Sequence, residues 1–238
     1  MKKIIALLTI LLLAGGLTAQ EPERYFTDKD LPDGMIYLPA PPEEGSAQFE
    51  YDKARYAWGK TMRDTPRGQM AIADNEYSVE YMADIFADII GLKIDSASTP
   101  QIWRYLEKSI NTMNQADNTV KEGYMRPRPF MVYNEHTIVP EEEEWLVNNG
   151  SYPSGHTLLG WGTALLLIQL APEAQSELLK RGYEYGISRV IGGFHWQSDV
   201  DAGKLTASAA FARLQTSKEY QRQLKKAKKE FLRKKRKN

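Results

Sequence analysis

The sequence predicts an all-α fold, a single compact helical domain, and three observations carry that prediction. Apolar residues recur at spacings of three and four along most of the chain. Helix-start chemistry, Ser-Thr-Pro at 98–100 and Pro-Ser-Gly at 153–155, stands ahead of two of those runs. No alternating apolar–polar run of strand type stands out between them. The 238 residues, 42% apolar and formally neutral, suit one globular domain. Cysteine is absent, which excludes disulfides and cysteine-based metal or redox sites.

Met1-Lys2-Lys3 is a short basic start, Ile4 to Leu13 is apolar, and Ala14 to Ala19 is rich in small residues. That is the pattern of a secretory signal peptide over residues 1–19, with cleavage expected after Ala19. The apolar run falls short of the roughly 20 residues a membrane span needs. The mature protein is therefore expected to be periplasmic or secreted, without a transmembrane segment. Residues 20–47 carry Pro32, Pro39, Pro41 and Pro42, so this lead-in is predicted to run extended over the domain surface.

Residues 48–232 form the predicted helical domain. Tyr51, Ala54, Trp58 and Met62 mark one stripe; Tyr77, Tyr81, Met82, Ile85, Phe86, Ile89 and Ile90 mark a broader one. Pro100, at a first helical position behind a Ser98-Thr99 cap, leads into Ile102, Trp103, Leu106, Ile110 and Met113. The aromatics of these stripes are assigned to the core. Residues 130–149 are predicted as a loop, with Glu141 to Glu144 a solvated face. His136 has no acidic or histidine partner at ligand spacing and is assigned as an ordinary loop residue. Helices are then expected from Ser154 to about Leu170, from about Glu173 to Val190, and from near His195 onward after a Gly192-Gly193 turn.

The stretch Lys218 to Asn238 carries eleven Lys/Arg against two Glu, a net charge of +9, so the rest of the neutral chain is −9. Tyr220, Leu224, Ala227 and Phe231 share one helical face. A docking helix with a basic solvent side is predicted, with residues 233–238 a frayed tail; attraction to anionic surfaces is the alternative.

Three blocks carry the chemistry. Gly150-Ser151-Tyr152-Pro153-Ser154-Gly155-His156-Thr157 places His156 in the first turn of a helix, where unpaired backbone N–H groups and the helix dipole favour an anion. Upstream, Lys121 and Arg128 lie seven apart. Downstream, Ser188-Arg189 precedes His195 and Asp199. Three fixed cations, two histidines and a carboxylate make a phosphoryl-transfer set without metal ligands. Asp199 lies four residues after His195, which puts both on one face of a helix.

In order, the blocks read Lys-x6-Arg-Pro, Pro-Ser-Gly-His and Ser-Arg-x5-His-x3-Asp, and so resemble the type 2 phosphatidic-acid-phosphatase superfamily at all eleven specified positions. Within it the chain is similar to the bacterial class A non-specific acid phosphatases, from about residue 30 to about 232. That likeness also rests on Leu38-Pro39-Ala40-Pro41-Pro42, Arg63 to Gly68 and Met125 to Phe130. The resemblance implies the helical fold of that superfamily, shared with the vanadium haloperoxidases. It implies His195 as nucleophile, His156 as the acid protonating the leaving oxygen, and Asp199 as the partner of His195. Lys121, Arg128 and Arg189, with Ser154 and the Gly155 N–H, would surround the phosphoryl oxygens.

The implied activity is hydrolysis of small phosphate monoesters such as nucleotides, sugar phosphates or aryl phosphates. It would run through a phosphohistidine, with no metal or other cofactor and no nucleic-acid partner required; homo-oligomerisation is left open. A vanadium-dependent haloperoxidase and a non-catalytic anion- or surface-binding protein are the alternatives. The intact His156, His195 and Asp199 argue against the second, since binding alone needs no nucleophile.

Overall fold

A computed structural model describes residues 22–236. The expected signal peptide lies outside the described residues. Twelve α-helices follow one another among the described residues, with no strand: α1 (Gly34–Tyr37), α2 (Ala47–Met62), α3 (Pro66–Ala73), α4 (Val79–Ile90), α5 (Pro100–Met113), α6 (Asn118–Tyr124), α7 (Pro129–Tyr133), α8 (Glu143–Leu146), α9 (Gly155–Ile168), α10 (Gln175–Gly192), α11 (Gln197–Leu214) and α12 (Lys218–Lys235). No helix among them is long and apolar enough to cross a membrane.

α9 is the centre of the bundle because it is apolar on nearly every side. Leu158, Leu159, Leu166 and Leu167 are buried, and each such side chain contributes about 1.5–3 kcal/mol of hydrophobic stabilisation. α10 and α11 pack against it, with α5 on a further side. At Gly160 a Cβ would collide with the Tyr185 ring, so only glycine lets α10 approach this closely.

α12 docks on α5. Tyr220, Leu224, Ala227 and Phe231 are buried, as their spacing predicts, while most of the lysines face solvent. Glu230 is buried too, and its Oε2 accepts the N–H groups of Gln101 at 2.8 Å and Ile102 at 2.9 Å. A carboxylate thus satisfies the first-turn donors of α5 and faces the positive end of its dipole. The helix continues to Lys235, whose Nζ donates to the Ile90 carbonyl at 3.1 Å, so Lys234 and Lys235 belong to α12 and not to a frayed end.

Four expectations need correction. On α2 the fully buried residues are Asp52, Tyr56 and Gly59; of the predicted stripe Trp58 and Met62 pack partly buried against the core, while Ala54 is exposed and Tyr51 is 56% exposed. A buried aspartate on the core face defeats an apolar-stripe reading. Tyr77 is likewise outside the core, at 44% exposure. The 130–149 segment contains α7 and α8, short helices that close over Phe194 through Phe130, Leu146 and their neighbours. There His136 does meet a carboxylate, with its Nδ1 3.1 Å from Glu143, whose other oxygen accepts the Thr137 N–H. Finally, α11 begins at Gln197, so His195 lies before the helix and not on its face.

Candidate active site

The Pro-Ser-Gly-His block turns into α9 at Ser154, whose Oγ accepts the Thr157 N–H at 3.3 Å. The Thr157 hydroxyl donates to the same oxygen at 3.0 Å, and Ser154 is fully buried. Ser154 therefore serves as the helix cap. Gly155, next to it, lines a cleft of 670 Å³ together with His156, His195, Lys121, Arg128 and Arg189. Six of the eight predicted site residues line this cleft; Asp199 lies behind His195, and Ser154 is turned inward. A Cβ at Gly155 would come within 3.1 Å of Asp117, which also lines the cleft.

On one side of the cleft, His195 Nδ1 lies 3.4 Å from Asp199 Oδ2. The contact arises because Asp199 occupies the third helical position of α11, with its Oδ2 also accepting the Trp196 N–H at 2.8 Å. The Ser151 hydroxyl donates to that oxygen at 2.5 Å and stands 3.3 Å from Nδ1. Oδ1 accepts Arg126 Nη1 at 2.5 Å. With Nδ1–H directed at the carboxylate, Nε2 keeps its lone pair and faces Arg128 Nη1 at 3.1 Å. Burial, with Arg128, Lys121 and Arg189 adding to it, holds the His195 imidazole well below the usual histidine range. Burial raises the Asp199 carboxyl, and Arg126 opposes that rise.

The His156 side is built differently. His156 Nε2 donates to the Asn75 carbonyl at 3.0 Å, and its ring lies against Tyr185 and Tyr77. Nδ1 makes no hydrogen bond to the described residues. Burial, followed by the Arg189 charge, holds this imidazole well below its ordinary value. Asn75 also accepts Arg189 Nη1 on its side-chain oxygen at 2.8 Å. The preceding Asp74 is buried, accepting from Tyr81, from Ser188 at 2.6 Å and from Arg181 at 2.5 Å. Ser188 of the third block thus anchors the loop carrying Asn75.

The cations between the two histidines are held by carbonyls. Lys121 Nζ donates to Pro153 at 2.6 Å and Gly150 at 3.0 Å, and lies 3.6 Å from Asp117. Burial brings its ammonium down to about 8. Arg128 is held by the Phe194 carbonyl at 3.0 Å and the Asn149 carbonyl at 3.1 Å. Arg189 stacks its guanidinium over Phe194 at 3.8 Å, and its buried Nε has no hydrogen-bond partner. Both arginines are pulled down by burial, as cations short of counter-charge are. Such a cleft is chemically suited to a multiply charged oxyanion.

Sequence reasoning passed over Asn75, Asp117, Arg126, Ser151 and Asp52. Arg126 and Ser151 lie inside the quoted blocks, where a signal was available; Asn75 and Asp52 stand outside every block. Among the described residues no group of three or more His, Cys, Asp and Glu is arranged to hold a metal ion.

The PAP2 superfamily model matches residues 109–222. A non-specific acid phosphatase of Providencia stuartii is 44% identical over 208 residues, covering 87% of this chain and 84% of that protein. One from Salmonella typhimurium (strain LT2) is 41% identical, covering 93% and 89%. An acid phosphatase of Zymomonas mobilis is 31% identical, covering 84% and 75%.

Proposed function

This chain belongs to the PAP2 superfamily and is an acid phosphatase, a phosphoric monoester hydrolase, and from that premise we propose that it works through a covalent phosphohistidine on His195 without a metal ion. The observation that carries this reading is the His195 environment: a carboxylate on Nδ1, and Nε2 against Arg128 in a cleft that Lys121 and Arg189 also line.

The phosphoryl oxygens bind Lys121, Arg128, Arg189 and the Gly155 N–H at the start of α9. His195 Nε2 attacks phosphorus, and the bond to the leaving oxygen breaks. His156 Nδ1 gives that oxygen its proton. The imidazole becomes cationic on phosphorylation, and Asp199 stabilises it through Nδ1–H. Water then attacks phosphorus, His156 takes its proton, and inorganic phosphate leaves with His195 restored.

Burial and the Arg189 charge hold the His156 imidazole below its ordinary value, so a further group must favour its protonated form. A phosphate dianion beside it raises its affinity for that proton, and acidic solution supplies it. This agrees with acid-phosphatase chemistry. Small phosphate monoesters, among them nucleotides, sugar phosphates and aryl phosphates, are the proposed substrates. Export to the periplasm or medium is proposed from the Met1 to Ala19 pattern.

The test is rapid-quench trapping with a radiolabelled aryl phosphate after exhaustive EDTA treatment. An acid-labile, alkali-stable phosphoenzyme that forms and decays at competent rates is expected, absent in His195→Ala. Chelator-sensitive turnover restored by a divalent ion, or turnover without a phosphoenzyme, would sink the reading.

A further inference from the structure

We infer that Asp52 is a positioning residue whose action is electrostatic: it shares the charge of Arg126, so that Asp199 keeps its negative field for His195. The inference rests on the phosphohistidine reading and concerns what keeps Asp199 effective.

Arg126 and Asp199 are both buried and meet at 2.5 Å. Alone, a pair that close is nearly neutral from outside and does little for a cation forming beside it. The second guanidinium nitrogen, however, reaches Asp52 Oδ2 at 2.9 Å. Asp52 is wholly buried, and Arg126 is its one cationic partner among the described ion pairs. Its other donors are neutral: the Ser198 N–H at 2.8 Å and the Ser198 hydroxyl at 2.5 Å. That hydroxyl also accepts Arg126 Nη1 at 2.8 Å, closing the cluster.

One guanidinium therefore serves two carboxylates, and the three groups carry a surplus of one negative charge. On the opposite side of His195 stand Arg128, Lys121 and Arg189, which disfavour any positive charge on its ring. Phosphorylation of Nε2 creates such a charge. The surplus behind Asp199 is the fixed counterweight, already oriented before the reaction begins. Asp52 does not line the cleft, so it acts only through Arg126 and Asp199.

Asp52→Asn retains the shape and removes the charge, leaving Arg126 to neutralise Asp199. Rapid-quench measurement of phosphoenzyme formation should show a loss on the order of tenfold, the equivalent of about one pKa unit of differential interaction, with KM nearly unchanged. Asp52→Asn/Arg126→Gln removes both charges and frees Asp199 again, so it should form phosphoenzyme faster than the single variant. A bracing role predicts the reverse, since the double variant loses more native bonds. Wild-type formation in Asp52→Asn, or a double variant no faster than the single one, overturns the inference. Should Asp52→Asn not fold, the double variant decides: formation near the wild-type rate is expected, and a loss as deep as that of Asp199→Asn overturns it. Absence of phosphoenzyme in the wild type would instead overturn the catalytic reading on which this rests.

Discussion

The two histidines of the cleft are the same residue in two opposite settings. His195 has a carboxylate on Nδ1, backed by Arg126 and Asp52, and a guanidinium against Nε2. His156 has a neutral carbonyl on Nε2, two tyrosine rings beside it, and no carboxylate partner among the described ion pairs. The difference suits the two roles proposed for the rings. A nucleophile that becomes a phosphorylated cation needs a fixed negative charge behind it. An acid that must release its proton is served by a neutral support that orients the ring and leaves it weakly basic.

The strongest way to break this comparison is to remove each ring. His195→Ala loses the attacking nitrogen, so turnover should vanish for every substrate. His156→Ala loses only proton delivery, typically worth about a hundredfold to ten-thousandfold. Its loss should be severe on alkyl phosphates and small on an activated aryl phosphate. Single-turnover rates against leaving-group pKa measure this: a steeper slope in His156→Ala supports the assignment. A dead His156→Ala beside an active His195→Ala exchanges the roles.

Asn75→Ala sharpens the acid half. It leaves the backbone carbonyl on His156 in place and removes the side-chain acceptor of Arg189. A misplaced phosphate ligand should lower kcat/KM on the order of tenfold to a hundredfold, for alkyl and aryl substrates alike. A loss confined to alkyl phosphates would mean that Asn75 serves His156 alone.

Stability against pH separates the halves without catalysis. Both imidazoles are held well below their ordinary value by burial. The unfolded chain then binds more protons as pH falls below about 6.5, so these histidines reduce stability in that direction. Asp199 and Asp117, raised by burial, act in the opposite sense. The Tm of His156→Gln should therefore fall less steeply than that of the wild type between about pH 7 and pH 5. Parallel curves would show that His156 is protonated in the folded protein. Inorganic phosphate should raise the wild-type Tm, since it binds only the folded cleft.

The smallest effect is expected far from both histidines. Removing Lys234 to Asn238 takes away the exposed Lys235 contact with the Ile90 carbonyl and leaves Glu230 and Phe231 docked. Turnover should be unchanged and Tm nearly so; a large fall in Tm would make this end a structural clamp.

Read alone, the sequence specifies the helical class, the apolar helix that becomes α9, the docking face of α12 and most of the cleft residues. These depend on local periodicity, on caps such as Thr99-Pro100 and Ser154, and on short blocks whose residues are neighbours in the chain. It did not determine that Ser154, expected both to cap α9 and to hold phosphate, turns its hydroxyl away from the cleft, nor that His195 precedes α11. The supports of the two histidines were out of its reach altogether. Asp52 is 147 positions from Asp199, and Asn75 is 81 from His156. Nothing local marks either one: on α2, Asp52 interrupts the apolar pattern, and an apolar stripe passes it over. Only tertiary packing decided these pairings. A buried charge is tolerated only opposite its partner, and the chain must fold before that partner is there.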